Sequence, residues 1–135
     1  MEQTKLLRDF MEELWVCKAN DQTTVLRLKA PHKDELHIER RVAQSTVCVR
    51  YYVAESARSL VKALEVVFLI TETNEWLPVA FYRVKRRRHV YVQIDERTGA
   101  ISPLDLVNQK ACAGYCDAWS FHLRAQGWLE RGVVV

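Results

Sequence analysis

The densest concentration of chemistry in this chain is the run Lys85-Arg86-Arg87-Arg88-His89, preceded by Tyr82 and Arg83 and followed by Tyr91. Guanidinium and ammonium groups gathered at a hairpin tip grip carboxylates or phosphates, and exposed tyrosines on the flanking strands stack bases. Arg83, Lys85, Arg86, Arg87, Arg88, His89, Tyr82 and Tyr91 are therefore candidate partner-binding residues, for an acidic protein patch or for nucleic acid. Four phosphate contacts there would give a logarithmic salt slope of about −3 to −4. The competing reading is a charged turn that keeps a hairpin soluble and blocks edge pairing. The arginines and lysine from Arg83 to Arg88 are five of the 20 basic residues. The fifteen that remain face 17 acidic ones, so the formal net charge of +3 belongs to one place rather than to the whole surface.

Trp15, Trp76 and Trp128 form a second candidate surface, since aromatic rings with one wet side are favoured at protein interfaces; the alternative, favoured for each ring taken alone, is that they cap the edges of the core. The apolar end Val133-Val134-Val135 reads either as part of a frayed tail from residue 129 onward or as a strand for a neighbouring sheet edge.

Other chemistry is not encoded in any pattern of these residues. Cys112 and Cys116 stand four apart with His122 beyond them, but no second matched pair completes a zinc site, and the spacing puts all three on an apolar helix face. His32, His37, His89 and His122 are scattered without a nucleophile motif. Asp95 and Glu96 are neighbours that point to opposite faces of a strand. The four glycines are isolated, so there is no phosphate-cradling loop. The expectation is a protein with no catalytic residue, no metal and no cofactor, and not an enzyme.

The elements that must position the basic run follow from periodicity. From Gln3 to Cys17 the spacing of Leu6, Leu7, Phe10, Met11, Leu14 and Cys17 predicts an amphipathic helix. Thr23–Lys29, Leu36–Val42 and Thr46–Ala54 read as strands of a meander. Glu55–Ala63 reads as a short helix, and Leu64–Thr71, apolar at nearly every position, as a central strand covered on both faces. Leu77–Lys85 and His89–Asp95 are the two strands joined by the basic turn. Ser102-Pro103 reads as a helix start, and a long helix to Gln126 turns Val107, Ala111, Cys112, Tyr115, Ala118, Trp119, His122 and Leu123 inward, with Gly127 as its stop.

The sum is one α+β domain over residues 1–135: a mainly antiparallel sheet of five to six strands, an N-terminal helix, a short middle helix and a long C-terminal helix covering the sheet. A composition 49% apolar and 27% charged is that of an ordinary globular chain. Cys17, Cys48, Cys112 and Cys116 read as free, mostly buried thiols rather than a disulfide framework. Met1–Leu7 lacks the apolar stretch of a secretory signal, and the run Ala63–Ile70, broken by Glu65, is far short of the ~20 residues that span a bilayer. These readings lead to an expected cytoplasmic location and no membrane partner.

The element order from Gln3 to Gln126 resembles that of the secretion-chaperone fold, which includes the class I type III secretion chaperones. The resemblance lies in the order of elements and not in a residue motif. It implies a homodimer that binds an extended segment of a client protein. Those chaperones are typically acidic, and the basic hairpin departs from that pattern. The expected function is a non-enzymatic protein-binding module, an adaptor, assembly factor or chaperone-like protein. The alternative is a small nucleic-acid-binding protein using Arg83–His89.

Overall fold

The computed structural model describes residues 1–135. Helix α1 (Lys5–Lys18) buries Leu7, Phe10, Met11 and Leu14, the stripe that its three-and-four spacing dictates. Strands β1 (Val25–Lys29), β2 (Glu35–Arg41), β3 (Thr46–Ser56), β4 (Ser59–Ile70), β5 (Trp76–Arg83) and β6 (His89–Val90) pair in sequence, each antiparallel to the last. The short strands β7 (Val92–Ile94) and β8 (Ile101–Pro103) form a separate ribbon. Helix α2 (Leu106–Ala125), a single turn α3 (Trp128–Arg131) and strand β9 (Val133–Val134) follow. β9 pairs with β1 and gives a seven-stranded sheet in the order β6-β5-β4-β3-β2-β1-β9. The chain is α+β, with one strand more in its main sheet than the sequence suggests and a second small sheet beside it.

Register assigns the two faces of the sheet. Leu26, Ile38, Val49 and Val66 stand in one row across β1 to β4, and Leu28, Leu36, Tyr51 and Leu64 in the next. These eight residues share one core with the buried stripe of α1 and with Cys112, Cys116, Leu123 and Trp128 from the C-terminal helices. The other face carries the row Arg27, His37, Arg50, Glu65 and Tyr82. Arg50 is its hub: Nε donates to Glu65 at 2.8 Å and Nη2 to Glu39 at 2.8 Å. Burial raises the Glu65 carboxyl, but the hydrogen bond from Arg50 and the charge of Lys62 outweigh it and hold the group below the ordinary carboxylate range. Hydrogen bonds from Arg41 and Arg50 do the same for Glu39. On this face Cys48 is covered by its neighbours, and burial together with the Glu65 charge pushes its thiol up to about 11.

Several expectations are corrected. The middle helix over Glu55–Ala63 is absent, because β3 and β4 continue into a long hairpin through Val53↔Val61, Ala54↔Leu60 and Ser56↔Ser59. Extending an existing ladder satisfies backbone groups without the cost of nucleating two isolated helical turns. β4 is covered by helices on one face only, the Arg50 network lying on the other. The strand expected over His89–Asp95 divides at Tyr91, β6 staying on the main sheet and β7 leaving it. Ser102 and Pro103 lie in β8, and Asp105 caps α2 instead, accepting from the Asn108 N–H at 3.1 Å and its side-chain amide at 2.7 Å.

α2 is also turned relative to its expected face. Gln109, Cys112, Ala113, Cys116, Ser120 and Leu123 are inside, while Val107, Tyr115, Ala118 and His122 are exposed. The inward Gln109 is fully satisfied: its Nε2 donates to the carbonyls of Glu2 at 2.8 Å and Pro78 at 3.2 Å, and its Oε1 accepts from the Glu2 N–H at 2.9 Å. The C-terminal residues from 129 onward complete α3 and place β9 on the sheet edge. Val135 donates its N–H to the Arg27 carbonyl at 3.0 Å, beyond the β9–β1 pairs Leu28↔Val134 and Lys29↔Val133. All four cysteines are free, and Cys17 is exposed. No helix is long and apolar enough to cross a membrane.

Candidate functional site

The basic run closes a tight turn. The Arg86 N–H donates to the Arg83 carbonyl at 3.0 Å, with Lys85 in the left-handed region at φ 62°. The Val84 N–H donates to the Ala63 carbonyl at 2.9 Å and ties the turn to β4. Beyond the turn β6 returns antiparallel, pairing His89 with Phe81 and Val90 with Ala80. The chain then reaches Tyr91, whose N–H donates to the Val79 carbonyl at 2.8 Å and whose carbonyl accepts from Leu104 at 2.9 Å and Asp105 at 3.1 Å. The hairpin is thereby bonded through one residue to the start of α2.

Between hairpin and helix lies a groove of about 940 Å³. Arg83, Lys85, Arg86, Arg87 and His89 line it from the hairpin, Asn108, Ala111, Cys112 and Tyr115 from α2, and Phe81 and Tyr91 form its floor. The Phe81 and Tyr115 rings meet edge to face at 5.6 Å between centroids. The Arg83 guanidinium lies 5.2 Å from the Tyr115 ring and 5.7 Å from the Phe81 ring, held on the aromatic floor without a carboxylate. No acidic residue lines the groove.

Elsewhere Arg8, Arg41, Arg50, Arg124 and Lys62 each meet a carboxylate within 3.6 Å. None of Arg83, Lys85, Arg86, Arg87 and Arg88 forms an ion pair. Other basic side chains, among them Arg27, Lys29 and Arg58, are likewise outside ion pairs, but at the hairpin Arg83, Lys85, Arg86 and Arg87 gather around one cavity. Such a cavity attracts anions, with a field focused by its low-dielectric walls.

No protein-family model, no curated protein and no solved structure matches this chain. Its site is therefore read from its own geometry.

The candidate residues separate on inspection. Arg83, Lys85, Arg86, Arg87 and His89 come together, whereas Arg88 does not line the groove. Tyr82 is on the opposite face of β5, under Lys62 at 4.8 Å. Tyr91 is only 6% exposed, so it is floor and not an exposed stacking platform. The tryptophan surface does not exist as one: Trp76 and Trp128 are 3% and 1% exposed. Trp15 is half-buried beneath the Arg40 guanidinium, 4.3 Å from its ring. The sequence reading missed Phe81, Ala111, Cys112 and Tyr115 as groove residues. Alternation along β5 put Phe81 and Arg83 on one face, but nothing local linked that face to a helix beginning more than twenty residues later.

No three His, Cys, Asp or Glu side chains converge in a way that would hold a metal ion.

Proposed function

We propose that the protein is a non-catalytic binding module, of the adaptor, assembly-factor or chaperone-like kind, whose groove takes an acidic protein segment carrying an apolar side chain. One observation supports this above the rest: Arg83, Lys85, Arg86 and Arg87, with His89, surround an aromatic floor with no carboxylate among the lining residues. An acidic segment would set its carboxylates against Arg83, Arg86 and Arg87 and its apolar side chain against Phe81 and Tyr115. Recognition of acidic motifs by arginine clusters is an established mode, and the aromatic floor adds an apolar anchor. Nucleic acid would find the same cations, but Tyr82 and Tyr91 are not placed to stack bases beside them.

The test is fluorescence anisotropy with a labelled glutamate-rich peptide bearing one leucine, and with a labelled single-stranded oligonucleotide. The triple variant Arg83→Gln, Arg86→Gln, Arg87→Gln removes three contacts of roughly 0.5–1 kcal/mol each and is expected to weaken the peptide about ten- to hundredfold. Arg88→Gln changes the net charge at a neighbouring position outside the groove, and is expected to leave affinity within about twofold. Equal peptide affinity in the wild type and the triple variant would refute the reading. Tighter binding of the oligonucleotide, with a salt slope of about −3 to −4, would replace it with the nucleic-acid reading.

A further inference from the structure

Helix α2 presents a second surface beside the groove. Gln109, Cys116 and Leu123, seven apart and wholly buried, mark the innermost line of the helix. The opposite side carries Val107, Ala111, Gly114, Ala118, Phe121 and Ala125, all of them exposed. Their spacing of four, three, four, three and four is that of the seam by which one helix packs along another. From Val107 to Ala125 this face runs about 27 Å. Val107 and Phe121 stand 81% and 64% exposed toward its two ends, and Ala111, Gly114 and Ala118 make a shallow waist between them.

Gly114 lies inside the helix without the positive φ that would require glycine, and a Cβ there would meet nothing within 4 Å. Packing within the chain does not call for its small size, and glycine weakens a helix relative to alanine. A bare waist on the outer side lets a second helix axis come close, because the side chains at a crossing set the distance between axes.

The two edges of this face differ. Along one, α1 is already in place: Asp117 accepts from Thr4 and Leu6, and Arg124 donates to Glu13 at 2.8 Å. Along the other, Asn108 and Tyr115 look across the groove to the basic hairpin, and Ala111 belongs both to the groove wall and to the seam. An exposed apolar seam therefore runs beside Arg83, Lys85, Arg86 and Arg87, none of which is in an ion pair.

We propose that the acidic partner of the groove is an amphipathic α-helix that lies along α2, its apolar side on Val107, Ala111, Gly114, Ala118 and Phe121 and its acidic edge toward the basic hairpin. This rests on the groove being the acidic-segment site, and it extends that site along α2 as far as Phe121. Charge complementarity decides the occupant. A second copy of α2 would bring Asn108, Tyr115 and His122 along the corresponding edge, none of them acidic. Packed antiparallel, it would also set its own basic hairpin on the same side of the seam, because the hairpin flanks Asn108 to Tyr115, near the middle of the helix. An acidic helix meets the same cations with opposite charge and offers the same apolar period.

The experiment uses the full chain and a labelled three-heptad peptide with leucine at the seam positions and glutamate beside them, read by fluorescence anisotropy. It is compared with a scrambled peptide of the same composition and with the glutamate-rich peptide bearing one leucine. Wild type is expected to bind the heptad peptide at least about tenfold more tightly than the scrambled one. The double variant Ala118→Gln, Phe121→Gln changes two exposed residues outside the groove, keeps the charge and introduces a good helix former. It is expected to weaken the heptad peptide at least about tenfold and to leave the single-leucine peptide within about twofold. Equal affinity for the heptad and scrambled peptides, or for the heptad peptide in wild type and double variant, would overturn the helical docking and leave the groove reading standing. If instead the triple Arg→Gln variant holds the heptad peptide as wild type does, the groove reading fails, and the acidic class of the partner fails with it. A chain that sediments by itself as a dimer, and as a monomer once Ala118 and Phe121 are changed, would assign the seam to a second copy and overturn the proposal.

Discussion

Changing Trp128 to alanine is expected to lower the unfolding free energy by about 3–5 kcal/mol, the range for emptying a large aromatic site in a packed core. Trp128 is 1% exposed, meets His32 and Tyr51 edge to face at 5.8 Å and 5.9 Å, and donates its indole N–H to Gln126 at 3.0 Å. It also holds the last residues in place. The Gly127 carbonyl accepts from Arg131 at 2.8 Å and the Trp128 carbonyl from Gly132 at 3.0 Å, which delivers β9 to the edge of β1. For a domain whose total stability is of order 5–15 kcal/mol, such a loss brings the variant close to half-unfolded in mild urea. Urea denaturation followed by circular dichroism measures it, and a loss under about 1 kcal/mol would mean that the site collapses around the missing ring. Peptide affinity of the folded variant is expected to stay within about twofold, because the ring is remote from the groove and distant sites act independently.

The second large effect lies on the open sheet face. Arg50→Met is expected to cost about 2–3 kcal/mol at neutral pH, below the value for a fully buried pair because the partners keep some solvent contact. The side chains of Arg50, Glu39 and Glu65 retain 18%, 25% and 13% of their exposure, so removing the guanidinium leaves two poorly solvated carboxylates with only Arg41 beside Glu39 and Lys62 beside Glu65.

The sign of the pH dependence follows from the lowered carboxyls. Glu39 and Glu65 lie below their usual value of 4.5 in the folded chain. Their stabilisation is fully present above that value and is lost as pH falls through the folded one. In Arg50→Met the same groups gain by protonation. The difference in stability between wild type and variant should therefore be full at neutral pH and shrink toward zero in the acid range. Urea melts at neutral pH and below about pH 4 distinguish this from a packing defect, whose cost would persist in acid.

How much of this was legible in the sequence depended on how local the deciding interaction was. Helix α1 and the meander β1–β3 were readable because a buried stripe at helical spacing and an alternation of period two are consequences of one solvent boundary acting on one element. The Glu55–Ala63 segment was not, since Ala57, Leu60 and Val61 suit either state and the decision came from pairing with β3. α2 misled for a related reason. Its outer side carries Val107, Ala111, Gly114, Ala118 and Phe121, so apolar residues surround the helix, while buried Gln109 and Ser120 disguise the inner side. Trp76 and Trp128 are core rings, as the capping alternative had them, and not a shared interface, because a sequence does not display which rings other elements will cover.

By itself the sequence determined that the chain would bury an N-terminal helix against an antiparallel sheet, and that its excess positive charge would gather at one hairpin between Arg83 and His89. Tertiary structure decided that this hairpin has a wall. Only the return of α2 past β5 sets Ala111, Cys112 and Tyr115 opposite the cations and makes a charged turn into a groove. It also supplied Asp117 of α2 to the start of α1, where its carboxylate accepts from the Thr4 hydroxyl at 2.6 Å and the Leu6 N–H at 3.0 Å. The physical reason is common to both: short-range periodicity records which side of an element faces water, whereas the identity of the neighbour across that side is set by packing between segments distant in the chain.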